Sequence, residues 1–342
     1  MTKRIFAFLL ASLFLCISFA ACGEEKKNSS DNGEEKIDIV DAYTPDREIL
    51  DTVVMKIGDV EITYETYRYY YMSCRSSYEA AAVSKTVDEI KKEVLEELIY
   101  QSAVQTLAEK HGTGLTENQK QTIETAYKEL AQAYADYDSD LASALAMKYM
   151  TPEVYKDIYA FETYSVSNLF DYCKDSKNGV LDFSEETISE LLSEFYCSQM
   201  IYVGITETRN EENALKKVEG ILEKLANGED FVQVATQHSD YSEGDSIEDG
   251  FYFRKGDVED EVEKAYFELA EGEYTTTAVK TDTGFYILRR VANDMEYFSE
   301  NLYPSYAFND YLKLTEEELK IVYTDFFDGM FSGKTLVHEK VK

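Results

Sequence analysis

Apolar positions along this chain fall into two rhythms. Ile90, Val94, Leu95, Leu98, Ile99, Val104 and Leu107 keep helical spacing up to a stop at His111-Gly112. Before them, Val53 to Thr63 reads as two short strands around the Gly58-Asp59 turn, with Thr63 capping a helix from Tyr64 to Ala82. Thr116 and Gln119 form a capping-box pair, Thr151-Pro152-Glu153 opens a further helix, and helices carry the chain to about Cys173. After the polar turn Asp175 to Gly179, Ser184-Glu185-Glu186-Thr187 starts a helix through Phe195. The rhythm then alternates: a strand at Gln199 to Val203, a helix at Asn210 to Asn227 closed by Gly228, and a helix from Glu229-Asp230 to His238. A loop, a short acidic helix and a strand at Gly284 to Val291 complete a small α/β unit around an antiparallel or mixed sheet. Near the end, Tyr311, Leu312, Leu314, Leu319, Val322, Tyr323 and Phe326 lie on one face of a helix predicted over 309–331.

The first residues follow a different logic. Lys3 and Arg4 precede the apolar run Ile5 to Ala20, which closes on Phe19-Ala20-Ala21-Cys22. A basic start, a short apolar core and small residues before the cut make a secretory signal over 1–21, too short for a comfortable membrane span. The stretch from Gly23 to Lys36 is polar, charged and free of aromatics, so residues 22–52 read as a flexible acidic tether.

Charge narrows the function classes. The chain holds 34 basic and 67 acidic residues, and loss of Lys3 and Arg4 with an acid-free signal takes its net charge from −33 to −35. Such a surface repels nucleic acid and anionic headgroups, so nucleic acid is excluded as an expected partner. Cys74, Cys173 and Cys197 remain beside Cys22 in the exported chain, an odd and scattered set that demands no disulfide. With no C-x-x-C and with His111, His238 and His338 solitary, no metal site is expected; the absence of G-x-S-x-G and H-E-x-x-H makes a hydrolase the weakest candidate.

Small residues before Cys22, followed by Gly23 and a polar tract, resemble the bacterial lipobox. The resemblance implies cleavage before Cys22, diacylation of its thiol and anchoring at the extracytoplasmic face of the cell membrane. The pattern V-x-x-I-G-D-x-x-I-T at 54–63, followed by VLEELIYQSAVQTLAEKHG, resembles the N-terminal chaperone module of the SurA and PrsA class of extracytoplasmic foldases. The order YCSQMIYV, LANGEDF, HSDYSEGDS, GFYF, KGDVEDEVEKAYFELAEGEY and TDTGFYILRRV over 196–291 resembles a parvulin-type peptidyl-prolyl isomerase domain. Together they imply an α+β chain: a helical chaperone module over 53–183, completed by a C-terminal helix within 296–342, with a parvulin-like α/β domain inserted at 184–295.

Prolyl isomerisation needs no nucleophile and no cofactor, because its barrier of ~18–20 kcal/mol comes from amide resonance. The parvulin resemblance places the family's two inner histidines at Met200 and Tyr286, and its acidic or cysteine position at Tyr241, after Ser239-Asp240. The proline-pocket methionine and phenylalanine fall at Val258 and Val262, Phe253 and Phe267 join the implied substrate-binding set, and the polar pair is kept as Thr281 and Thr283. Asp249 and Phe253 match the family's G-D-L-G-x-F loop, whereas Gly250 and Phe251 replace its Leu and Gly. His238 corresponds to a helix-end position outside the pocket.

The expected function is that of a lipid-anchored foldase holding unfolded exported polypeptides, with isomerase activity that is weak or lost. A non-catalytic assembly or partner-binding surface lipoprotein is the alternative. Tyr64, Tyr67, Tyr69, Tyr70, Tyr71 and Tyr78 suit either a surface that grips unfolded chains or a helix packed against its neighbours; 28 tyrosines without a tryptophan favour packing.

Overall fold

The computed structural model describes residues 44–137, 139–241 and 247–332. The signal, Cys22 and most of the tether lie outside the described residues. The described chain divides into two compact units, one of residues 186–299 and the other of 44–185 with 300–332. It is an α+β protein with two small sheets, antiparallel in every pairing.

The first unit opens with a helical turn, Arg47–Leu50, and a hairpin of β1 (Val53–Ile57) and β2 (Val60–Thr63). Gly58 turns it at φ 61°, where a side chain is strained. Helix α1 (Tyr64–Ala80) starts on the Thr63 hydroxyl, which accepts from Thr66 N. Helix α2 (Val87–His111) starts on the reciprocal Thr86–Glu89 cap and stops at Gly112 in the left-handed conformation; it buries Ile90, Val94, Leu98, Val104 and Leu107, the face its spacing predicts. Helix α3 (Glu117–Ala135) carries the expected Thr116–Gln119 box, and α4 (Leu141–Ala146) and α5 (Pro152–Ala160) follow, the latter capped by Thr151. A π-helical turn at Phe161–Ser165 leads into α6 (Val166–Lys174).

The second unit begins with α7 (Glu185–Leu192). That helix stops short of Phe195, which opens the ten-residue strand β3 (Phe195–Gly204) and is buried against Phe298. Helices α8 (Glu211–Ala226) and α9 (Phe231–His238) precede β4 (Phe251–Arg254), a strand inside the segment expected to be loop. Helix α10 (Asp260–Phe267), β5 (Val279–Lys280) and β6 (Gly284–Val291) complete the unit, with strand order β4-β3-β6-β5.

The chain then returns to the first unit as α11 (Tyr303–Glu318). The single C-terminal helix expected over 309–331 is instead interrupted: β7 (Ile321–Tyr323) joins the free edge of β1, and α12 (Asp325–Ser332) follows. Backbone pairing explains the break. Met55, Lys56 and Ile57 offer ladder partners to Tyr323, Val322 and Ile321, and Gly58 N donates to Lys320 O at 2.8 Å. Leu319 lies where a Cβ on Gly58 would stand, 2.6 Å away, so the turn glycine is required by contact as well as by φ.

Five of the six tyrosines of α1 are core, not a gripping surface; Tyr78 is only partly buried. Tyr64, Tyr67, Tyr69, Tyr70 and Tyr71 are each at most 5% exposed. Tyr64 meets Phe326, while Tyr67 and Tyr71 meet Phe331, edge-on across α12. Aromatic pairs of this kind each add ~0.5–1.5 kcal/mol beyond area burial, and together they fix the short α12 to α1.

Candidate functional site

Strand alternation divides the 186–299 unit into two layers. Ile201, Val203, Phe285 and Ile287 are at most 3% exposed and pack with Ala214, Val218, Ile221 and Phe231 of α8 and α9. The other face of the same strands carries Met200, Tyr286 and Leu288. There Phe253 of β4 and Val262 and Tyr266 of α10 are buried, with Tyr196, Phe251 and Val258 packed around them. The face is therefore an apolar cluster, termed the cup below, floored by β3 and β6 and covered by α10.

Five residues named from the sequence meet in this cup: Met200, Phe253, Val258, Val262 and Tyr286. Phe267 lies at its margin, 39% exposed, with its ring edge-on to Tyr196 at 4.8 Å and to Tyr266 at 5.5 Å. Tyr241 is also exposed, at 38%, and shares a cavity of about 20 Å³ with Met200, Ile247 and Phe251. Met200 pairs with Leu288 and Tyr202 with Tyr286, so the two positions that the resemblance assigns to histidine are diagonal neighbours on one face.

Tyr202 was missed by the motif reading, although alternation from Met200 puts it on the cup face. Its ring lies 4.8 Å from that of Tyr286, and its hydroxyl donates to Thr283 O at 2.8 Å. It also covers the glycine pair Gly204 and Gly284; a Cβ on Gly284 would stand 2.7 Å from the Tyr202 ring and 2.5 Å from Val203 O. Thr281 and Thr283 form a turn before β6: Thr281 N donates to Gly284 O at 2.9 Å, Thr283 N to Thr281 Oγ1 at 3.3 Å, and the two hydroxyls lie 3.2 Å apart. Burial pushes the Tyr286 phenol up to about 12, with the Glu259 carboxylate and Tyr202 adding to the shift and Thr283 opposing it. Tyr286 is thus neutral across physiological pH, a hydrogen-bonding group without charge on the cup floor.

The Ser-Asp pair is structural in its contacts. Ser239 Oγ accepts from Tyr202 N at 3.1 Å and from Tyr241 N at 3.2 Å, and Asp240 N donates to Tyr202 O at 2.7 Å. The Asp240 carboxylate accepts from Gly204 N at 3.0 Å, from Lys217 at 2.8 Å and from Arg209. Its desolvation is outweighed by these donors, Lys217 and Arg209 foremost, so its carboxyl sits below the usual range. The pair fastens the end of α9 to β3 beyond the stretch paired with β4. His238 is the last residue of α9, and its buried Nε2 has no hydrogen-bond partner among the described residues.

Gly250, which departs from the family motif, has a local cause. It sits at φ 81°, and a Cβ there would stand 2.5 Å from Cys197 Sγ, the thiol that donates to Asp249 O. Cys74, Cys173 and Cys197 are all free and buried. Burial pushes the Cys197 thiol up to about 12, which leaves it protonated and inert.

Comparison with known proteins matches residues 199–292 to the rotamase family, the PPIC-type PPIase domain. Among solved structures, foldase protein PrsA from Streptococcus pneumoniae is 16% identical, aligned over 85% of this chain and 94% of its own, with a TM-score of 0.31. PrsA from Bacillus subtilis is 18% identical over 83% of this chain and 99% of its own, also at 0.31. The solution structure of TbPIN1 is 26% identical over 29% of this chain and 99% of its own, at 0.26.

Proposed function

From the PPIC-type rotamase domain that residues 199–292 form, we infer that the chain is a foldase in which that domain acts on X-Pro bonds of polypeptides held by the helical unit. The observation that carries the reading is the convergence of Met200, Phe253, Val258, Val262 and Tyr286 on one face of the β3–β6 ladder. An apolar cup seats the proline ring and strips water from the preceding amide. Resonance, and with it the ~18–20 kcal/mol barrier, is weaker when the planar dipolar form loses its solvation. The neutral Tyr286 phenol and the Thr281–Thr283 pair supply hydrogen bonds at the edge of the cup, where the twisted carbonyl comes to rest. Met200 has no donor to offer, so the polar network is reduced and turnover is slow.

The helical unit, made of segments on both sides of the rotamase domain in sequence, is read as the holding part. The clients are unfolded exported polypeptides. The lipobox at Cys22 tethers the protein by diacylglycerol to the extracytoplasmic face of the membrane, and no helix among the described residues is long and apolar enough to cross it. Uncatalysed isomerisation takes ~10–100 s at 25 °C, long enough to expose a newly exported chain to aggregation.

A proline-limited refolding assay tests the catalytic part: the chain shortens the slow phase, and Val258→Asp, which places a charge in the cup, removes the effect. An unaltered slow phase alongside binding of the unfolded client would leave a chaperone without turnover. For the anchor, Cys22→Ser moves the protein from the membrane to the medium; unchanged fractionation would reject lipidation at this residue.

A further inference from the structure

The helical unit contains a groove of about 1070 Å³ between β2, α1, α2 and α5. That exceeds the ~300–1,000 Å³ typical of small-ligand sites and suits a length of extended chain. Its walls include Val104, Val154 and Ile158, each at most 7% exposed. Among the described residues, five carboxylates line it, those of Glu61, Glu65, Glu109, Glu153 and Asp157, and Arg47 is the sole basic lining residue.

Most of that charge is already engaged. Arg47 holds Glu65 through two bonds of 2.9 and 2.8 Å and reaches Asp51 at 2.6 Å, while Glu61 pairs with Lys56 at 2.6 Å. Asp157 differs: it is exposed along the groove, and among the described residues it has no ion pair and no hydrogen bond of its side chain. The protein around it and the neighbouring Glu65 raise its carboxyl above the ordinary range. A second polar group on the groove is also unanswered. Ser102 is 1% exposed, and its hydroxyl has no hydrogen-bond partner among the described residues.

We propose that this groove binds an extended polypeptide segment through a lysine or arginine side chain set against Asp157. The apolar walls take the aliphatic stem and its neighbours, and the cation neutralises a carboxylate that the fold leaves without a partner. Charge complementarity selects the occupant: an acidic segment meets four further carboxylates, and a neutral one leaves Asp157 as it was. The assignment rests on the reading of the helical unit as a polypeptide holder and adds a sequence preference to it.

The test is fluorescence anisotropy of the full chain with three labelled unfolded peptides that differ only in carrying Lys, Gln or Glu at two positions. The Lys peptide binds about fivefold more tightly than the Gln peptide, the upper range for a solvent-accessible ion pair, and salt narrows the gap. Asp157→Asn removes the preference. Glu129→Gln deletes one charge from exposed α3 outside the groove and leaves the preference intact. Thermal unfolding of Asp157→Asn at or above the wild-type temperature separates lost binding from lost fold. Equal affinity for Lys and Gln peptides overturns the site while the holding function stands. Equal loss in Glu129→Gln and Asp157→Asn assigns the preference to overall acidity and also overturns it. No binding of any peptide overturns the site and the holding function together.

Discussion

Tyr202 and Tyr286 face each other across β3 and β6, with ring centroids 4.8 Å apart and planes at 39°. Directly opposed aromatics stabilise an antiparallel pair, and here one ring also shields the adjoining Gly204–Gly284 step, which has no side chains of its own. Tyr202→Ala is expected to cost ~1–2 kcal/mol of stability, read as a lower urea midpoint with an unchanged slope. A midpoint within error of wild type would show that the strand pair holds without the aromatic cover.

Tyr67 gives the opposite sign. It is 1% exposed among Tyr71, Phe327 and Phe331, and its hydroxyl has no hydrogen-bond partner among the described residues. A buried hydroxyl left unpaired costs ~1–3 kcal/mol, so Tyr67→Phe keeps the ring contacts and is expected to raise stability by ~1 kcal/mol. Tyr67→Ala, which empties the site, is expected to lose ~3–5 kcal/mol. Chemical denaturation of both variants checks the pair; a destabilised Phe variant would mean that the hydroxyl is satisfied in solution.

What was legible in the sequence follows from the range of the forces involved. Thr63 before Tyr64, Thr116 with Gln119, and Thr151 before Pro152 act within one helical turn, and each helix starts where they place it. Ile321 to Tyr323 was hidden because its partner, β1, lies more than 260 residues earlier, while Leu319, Val322, Tyr323 and Phe326 repeat at helical spacing by coincidence. β4 was hidden for a similar reason: four residues become a strand only because β3 is long enough to pair with them. In the site, the resemblance supplied Met200, Val258, Val262 and Tyr286 but not Tyr202, which no motif marks. Gly250 is explained by Cys197, a contact across 53 positions that no local pattern carries.

Glu162 predicts a pH dependence in the helical unit. It lies in the π-helical turn, where the protein around it, and then the charge of Glu97, push its carboxyl from 4.5 up to about 7. A raised folded value means that the proton binds more tightly in the folded state. The stabilising contribution is complete below about 4.5 and is lost as pH rises through about 7. Glu162→Gln carries no such proton, so it is expected to match wild type near pH 4.5 and to unfold at a higher temperature than wild type above pH 7. Parallel melting curves at all pH values would place the carboxyl at its ordinary value.

Met200 and Tyr286 occupy the two positions where the rotamase family resemblance expects histidine. Met200 lies opposite Leu288, and Tyr286 is two residues from Leu288 on β6, so they are diagonal neighbours across the ladder. Diagonal positions on one face of an antiparallel pair lie ~7–8 Å apart, a span that two imidazoles can bridge with a hydrogen bond. The apolar walls, Phe253, Val258 and Val262, and the Thr281–Thr283 turn are already in place to receive them. Met200→His combined with Tyr286→His is therefore expected to raise kcat/KM for prolyl isomerisation by about tenfold or more, equivalent to ~1.4 kcal/mol at the transition state. Either single variant leaves one imidazole facing an unmatched partner and gains little. The rate of the slow phase in proline-limited refolding reports all three proteins. A double variant that stays folded, as judged by its urea transition, yet gains no rate would show that the walls of the cup rather than its polar network limit turnover.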